Sequence, residues 1–148
     1  MSEEIALEPV LKETCRVSSG DFASAGNVSA GFKRKAKQLG LDTKLARMLS
    51  VAAYESELNL VIHSLGGELT MEVYSDRIVL KSEDYGPGIP DISLAMQEGW
   101  STAPEDIRAM GFGAGMGLPN MKRQADRFSI TSTPAGTSIT MEFVLQKP

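Results

Sequence analysis

The sequence predicts an α+β fold: a two-layer α/β sandwich in which one mixed, mostly antiparallel sheet of about five strands is covered on one face by about three helices. Three observations carry this reading. Apolar residues recur at spacings of three and four in two early segments, the signature of amphipathic helices. Apolar and polar residues alternate in pairs of short runs separated by turn residues, the signature of hairpins. No repeat, low-complexity tract or linker divides the 148 residues, so a single domain over residues 1–148 is expected.

The first element is a strand at about Val10 to Val17, followed by a turn at Ser18-Ser19-Gly20-Asp21. Phe22, Ala25, Val28, Phe32, Ala36 and Leu39 then recur at helical spacing, with Gly40 as the stop. Asp42 or Thr43 caps a second helix that runs to about Ser64, before Gly66-Gly67 breaks it. In that helix Leu45, Met48, Ala52, Glu55, Asn59 and Ile62 form one inward stripe with two polar members. A buried polar group without a partner costs about 1–3 kcal/mol, so Glu55 and Asn59 should meet something there.

Leu69, Met71 and Val73, then Ile78 and Leu80, alternate with polar residues on either side of Ser75-Asp76, a β-hairpin. From Gly86 to about Gly117 the chain is irregular, with short helical candidates at Ile92 to Glu98 and Pro104 to Met110. A loop of that length is uncommon unless it is functional. Pro119 to Arg127 reads as the third main helix, with Pro119 suited to its first turn. Phe128 and Ile130 form a strand, Pro134-Ala135-Gly136 a turn, and Ile139, Met141, Phe143 and Leu145 a last strand. The uncovered sheet face is left to solvent or to association.

Composition narrows the function. With 42% hydrophobic and 23% charged residues the chain is an ordinary globular one, and its net charge of −4 argues against a general nucleic-acid binder. Lys33-Arg34-Lys35 and Lys37 close the first helix, where cations complement the helix dipole. Met1-Ser2-Glu3-Glu4-Ile5 lacks the basic start of a secretion signal, and no apolar run has membrane-spanning length. A cytoplasmic protein with no nucleic-acid and no membrane partner is expected. Cys15, the only cysteine, reads as a buried strand residue, and His63, the only histidine, as a packed or hydrogen-bonding one.

Four polar and glycine-rich signals follow in fixed order. Glu55 and Asn59, four residues apart, share one helix face, where a carboxylate can take a proton and an amide oxygen can ligate Mg²⁺. Asp84-Tyr85-Gly86-Pro87-Gly88 follows a strand, and its carboxylate can accept from an exocyclic amine such as that of adenine. Gly113-Ala114-Gly115-Met116-Gly117 precedes a helix, so backbone N–H groups can converge on phosphate oxygens. Gly136-Thr137 is the fourth. Each alone also fits a plain turn or a solvent-exposed pair; together they point to an ATP site. No Lys-Ser/Thr pair completes a Walker loop, the glycine spacing fails the dinucleotide fingerprint, and protein-kinase signatures are absent.

In this order the signals resemble the N, G1, G2 and G3 boxes of the Bergerat-fold ATPases, the superfamily of gyrase and histidine kinases, over about residues 40 to 145. Asp84 to Ile92, Gly99-Trp100-Ser101-Thr102 and Gly115-Met116-Gly117-Leu118-Pro119 are most similar to the small anti-sigma-factor serine/threonine kinases, and within them to the switch-protein kinases of bacterial stress signalling. The resemblance implies ATP and Mg²⁺, with Glu55 as general base, Asn59 as magnesium ligand and Asp84 on the adenine amine. It places Gly86, Gly88 and Ile89 in the nucleotide site, Gly88 lining the base pocket. Gly113, Gly115 and Gly117 hold phosphates, and Ala114, Met116 and Leu118 join them in contacting the nucleotide. Thr137 supports Asp84 and the base through water.

Residues Glu98 to Phe112 would form a lid, longer between Thr102 and Gly113 than in the switch kinases and containing Glu105, Asp106 and Arg108. Arg108 reads as solvated rather than as a phosphate contact, and Trp100 as hinge anchor, partner contact or packing. The implied activity is a protein serine/threonine kinase acting on an anti-sigma-antagonist-type domain in transcription or stress signalling. The alternative is a nucleotide-sensing anti-sigma factor or partner switch, binding a sigma factor, with little or no catalysis. A third reading is an ATP hydrolase in which Glu55 activates water. The resemblance also allows a homodimer.

Overall fold

The computed structural model describes residues 8–97 and 117–145. The alternating runs pair into one sheet of β1 (Leu11–Val17), β2 (Gly67–Val73), β3 (Arg77–Asp84), β4 (Arg127–Thr133) and β5 (Gly136–Val144), in the order β1-β2-β3-β5-β4. All four ladders are antiparallel, so the sheet lies at the fully antiparallel end of the expected arrangement. Register puts like residues in rows. Met71 faces Leu80, Leu80 faces Met141 and Met141 faces Phe128, while Val73, Ile78 and Phe143 form the next row. These side chains, buried against the helices, are the sheet's half of the core. Each large apolar side chain fully buried in this way stabilises the fold by about 1.5–3 kcal/mol.

The opposite sheet face is polar. Glu72 is held there by Lys12 and Lys81, each 3.6 Å away, and accepts from the Tyr74 hydroxyl at 2.9 Å. The alternation that buries Met71 therefore turns its neighbour Glu72 outward, as a period of two requires.

Four helices lie among the described residues: α1 (Asn27–Gln38), α2 (Thr43–His63), α3 (Ile92–Ala95) and α4 (Gly117–Gln124). α2 crosses the sheet and is flanked by α1 and α4. The Asp42 side chain caps it by accepting from Leu45 N at 3.3 Å. At its other end the Ser64 hydroxyl donates to Leu60 O at 2.7 Å and accepts from Gly66 N at 2.9 Å. None of the helices among the described residues is long and apolar enough to cross a membrane.

Several boundaries differ from the sequence expectation. α1 begins at Asn27, not at Phe22, because Asp21 accepts from Ser24 N and Gly26 takes a left-handed conformation at φ 100°. Gly26 has no side chain to cap the helix, and a distant residue does so instead. The buried Glu57 carboxylate of α2 accepts from Val28 N at 3.2 Å and Ser29 N at 3.0 Å. Two of α1's orphan donors are thereby satisfied, with a negative charge at the positive end of its dipole.

The inward stripe of α2 is also rotated from the expected one. Leu45, Leu49, Ala52, Ala53, Ser56 and Leu60 are buried, whereas Met48, Glu55, Asn59 and Ile62 are only partly covered. α3 is shorter than the expected Ile92 to Glu98. α4 starts two residues before Pro119 and stops before Arg127, where Asp126 N donates to Glu142 O at 2.8 Å and draws the chain into the sheet. The candidate helix 104–110, the lid 98–112 with Trp100 and Arg108, and Gly113, Ala114, Gly115 and Met116 lie outside the described residues.

Candidate functional site

The sequence-selected residues fall into two clusters. In the first, Glu55 and Asn59 project from α2 toward the N-terminus of α4. A Cβ placed on Gly117 would sit 3.2 Å from Asn59 Oδ1 and 3.4 Å from Glu55 Oε1. A side chain here would press on Asn59, a tight contact that the bare Gly117 avoids. Glu55 Oε2 accepts from Asn120 Nδ2 at 3.1 Å, and Asn120 Oδ1 accepts in turn from Arg123 Nη2 at 2.7 Å. The carboxylate is thus held by one oxygen. Neither Oε1 nor the Asn59 amide has a hydrogen-bond partner among the described residues.

Asn120 was not singled out from the sequence. Its only signal was a polar residue one turn after a glycine box, and its purpose appears once α4 is laid across α2. The Leu118 side chain, at the start of α4, is buried in the hydrophobic core.

The second cluster surrounds Asp84 at the end of β3. Asp84 Oδ1 accepts from Gly86 N at 2.9 Å and from Thr137 N at 2.8 Å, while Oδ2 has no partner among the described residues. One oxygen fixes the carboxylate to the backbone and the other is presented. Ser132 Oγ, on β4, accepts from Ile89 N at 2.6 Å and lies 2.7 Å from Thr137 Oγ1. The glycines here serve the protein's own backbone. A Cβ on Gly88 would collide with the Thr133 carbonyl, and one on Gly136 with the Asp84 carbonyl. The turn after β3 and the β4–β5 turn interlock through these bare positions. Ile89 packs against the core.

Among the described residues, no side-chain hydrogen bond joins the two clusters directly. They are linked through the end of α2, where Leu65 N donates to Gly86 O at 2.8 Å and Tyr85 N to Gly66 O at 3.0 Å. His63, on the last turn of α2, has its imidazole pushed below the ordinary 6.5 by burial. Burial foremost, then the Glu13 and Glu57 carboxylates, push the Cys15 thiol up against the opposing effect of Lys35, which leaves it a poor nucleophile.

The donor set suits a nucleotide carrying its own metal. Among the described residues no group of three or more His, Cys, Asp or Glu side chains could hold an ion by itself. Asn59 offers a single hard oxygen, and Mg²⁺ completes its shell with phosphate oxygens and water.

The sequence matches the histidine kinase-like ATPase domain family over residues 19–143. The chain belongs to this family. ATP use goes with this ATPase family, and the α+β architecture with it. Among relatives, the domain is 36% identical to the serine/threonine-protein kinase RsbT of Bacillus subtilis (strain 168) over 109 residues, 70% of this chain and 76% of that one. It is 32% identical to an anti-sigma F factor of Thermoanaerobacter sp. (strain X514) over 99 residues, 63% of this chain and 66% of that one.

Two solved structures share its fold. A crystal structure of RsbU and RsbW domains from Mycobacterium tuberculosis superposes with a TM-score of 0.61 at 16% identity, covering 92% of this chain and 33% of that one. The SiaB-SiaC complex of Pseudomonas aeruginosa matches with a TM-score of 0.51 at 10% identity, covering 97% and 95%.

Proposed function

We propose that the protein is a cytoplasmic, ATP- and Mg²⁺-dependent serine/threonine kinase that regulates a transcription or stress-signalling partner by phosphorylating an anti-sigma-antagonist-type domain. One observation carries the reading: Glu55 is held through Oε2 by Asn120, with Oε1 without a partner among the described residues, beside Asn59 and the start of α4. A pure nucleotide binder needs Asn59 and the glycine turns but no oriented carboxylate. The identity to RsbT over most of both chains supports the same activity.

ATP would supply the phosphoryl group, and Asn59 would hold the Mg²⁺ that supplies charge neutralisation for it. Glu55 takes the proton of the acceptor serine or threonine as its oxygen bonds to the γ-phosphorus and the bond to the β-phosphate oxygen breaks, leaving ADP. Asn120 keeps the carboxylate pointed at that hydroxyl. Asp84 Oδ2 accepts from the adenine amine while Oδ1 stays fixed to Gly86 and Thr137. The N–H groups at the start of α4 face the phosphates. Edge strands β1 and β4 are available for pairing of two copies, an assembly that sedimentation would detect.

Transfer of labelled γ-phosphate to purified anti-sigma-antagonist-type domains tests the reading. Glu55→Gln should slow transfer about a hundredfold or more while still binding ATP. Full transfer by Glu55→Gln would overturn the mechanism. Similarity to an anti-sigma F factor supports a second reading, a nucleotide-sensing switch that sequesters a sigma factor. Partner affinity that changes with nucleotide, without any transfer, would favour it.

A further inference from the structure

We infer that Ser132 is a positioning residue for base selection, acting through the hydroxyl of Thr137. The inference rests on the reading that Asp84 receives the adenine amine. Ser132 Oγ has two close neighbours, Ile89 N at 2.6 Å and Thr137 Oγ1 at 2.7 Å. The Ile89 N–H can only donate, so Ser132 is its acceptor. One proton remains on each hydroxyl, and one of them lies between the two oxygens.

The surroundings decide which. The Gly88 backbone packs against Ser132, where a Cβ would sit 2.7 Å from its Oγ. With the Ile89 N–H on one lone pair, the Ser132 proton has Thr137 Oγ1 as an acceptor at 2.7 Å. Thr137, whose own N–H is bound to Asp84 Oδ1, then keeps its hydroxyl proton to give outward beside the carboxylate. A donor next to an anion is the favourable order of charge; lone pairs turned toward it are not.

The outcome is a fixed pair, an acceptor at Asp84 Oδ2 and a donor at Thr137 Oγ1. Adenine presents the complement, an amine donor next to a ring-nitrogen acceptor. Guanine presents a carbonyl acceptor and a ring N–H donor, the reverse polarity at both positions. Without Ser132, the Thr137 hydroxyl can rotate and offer a lone pair to the guanine N–H, directly or through water, and half of the discrimination is lost.

Calorimetric titration of Mg²⁺·ATP and Mg²⁺·GTP into the full chain tests this, comparing wild type with Ser132→Ala, Ser132→Thr and Thr137→Val. Ser132→Ala should lower the ratio of ATP to GTP affinity about five- to tenfold, the worth of one neutral hydrogen bond. Ser132→Thr, which keeps the hydroxyl, should hold the ratio within about twofold. Thr137→Val should lower it as far as Ser132→Ala does, with no further fall when the two are combined.

Equal weakening of both nucleotides by Ser132→Ala would overturn the inference, since that is what a purely structural tie to Ile89 would do. Should Ser132→Ala fail to fold, an unchanged ratio in Thr137→Val overturns it alone. A folded wild type that binds ATP without preferring it to GTP contradicts the inference and the Asp84 reading together. A clear wild-type preference that survives in Ser132→Ala contradicts the inference only.

Discussion

At the scale of single residues, Glu57 fixes where α1 sits, and it was not legible in the sequence. It lies between Glu55 and Asn59, off the stripe chosen by helical period, and its partner is the bare start of a helix that the apolar spacing had placed five residues too early. Gly26 at the N-cap leaves Val28 and Ser29 N–H groups that only a distant acceptor can satisfy. Glu57→Ala should cost about 2–3 kcal/mol in urea unfolding and Glu57→Gln about 1, since the amide keeps one acceptor. Asn120→Ala should leave ATP affinity unchanged and lower the phosphotransfer kcat about tenfold, by releasing Glu55 to other rotamers. His63 gives a pH signature. Its folded pKa is depressed, so the unfolded chain takes up the proton first; its stabilising contribution is whole above about pH 6.5 and is lost as pH falls toward the folded value. Replacing it by Gln should flatten the decline in Tm between about pH 7 and 5.5.

At the scale of elements, the hairpins were legible because burial on one face imposes a period of two, as Leu69, Met71 and Val73 show against the less covered Glu68 and Thr70. The helices were legible in existence but not in face. α2 is covered by the sheet below and by α1 and α4 beside it, so its apolar residues spread over much of its circumference and the period alone selects an edge of the buried surface. That edge is nevertheless where Glu55 and Asn59 meet α4. Their polarity singled out this edge as the candidate site, although their apolar neighbours misplaced the buried face. The contact depends on Gly117, where a Cβ would press on Asn59 Oδ1 at 3.2 Å. Gly117→Ala should weaken Mg²⁺·ATP binding about tenfold with less than about 1 kcal/mol change in stability, read by calorimetry and urea unfolding.

At the scale of the whole molecule, the order of the four signals along the chain was readable, and so was the family. Why the glycines recur was not. Gly88 and Gly136 are needed because the turn after β3 and the β4–β5 turn pass through each other's side-chain space, Gly88 against Thr133 and Gly136 against Asp84, relations between distant residues that no local pattern encodes. This interlock sets Asp84 with one oxygen bound and one presented, and makes Asp84→Asn an informative change. The amide oxygen can still accept from Gly86 N and Thr137 N, so the fold is retained, while the presented atom becomes a donor where the proposed site needs an acceptor for the adenine amine. Calorimetric titration of Mg²⁺·ATP into wild type and Asp84→Asn is therefore the most direct test of the nucleotide site. Saturable binding by wild type and none by an equally folded Asp84→Asn is the expected result. A folded wild type that does not bind ATP, or an Asp84→Asn variant that binds it as tightly, would contradict the site described here.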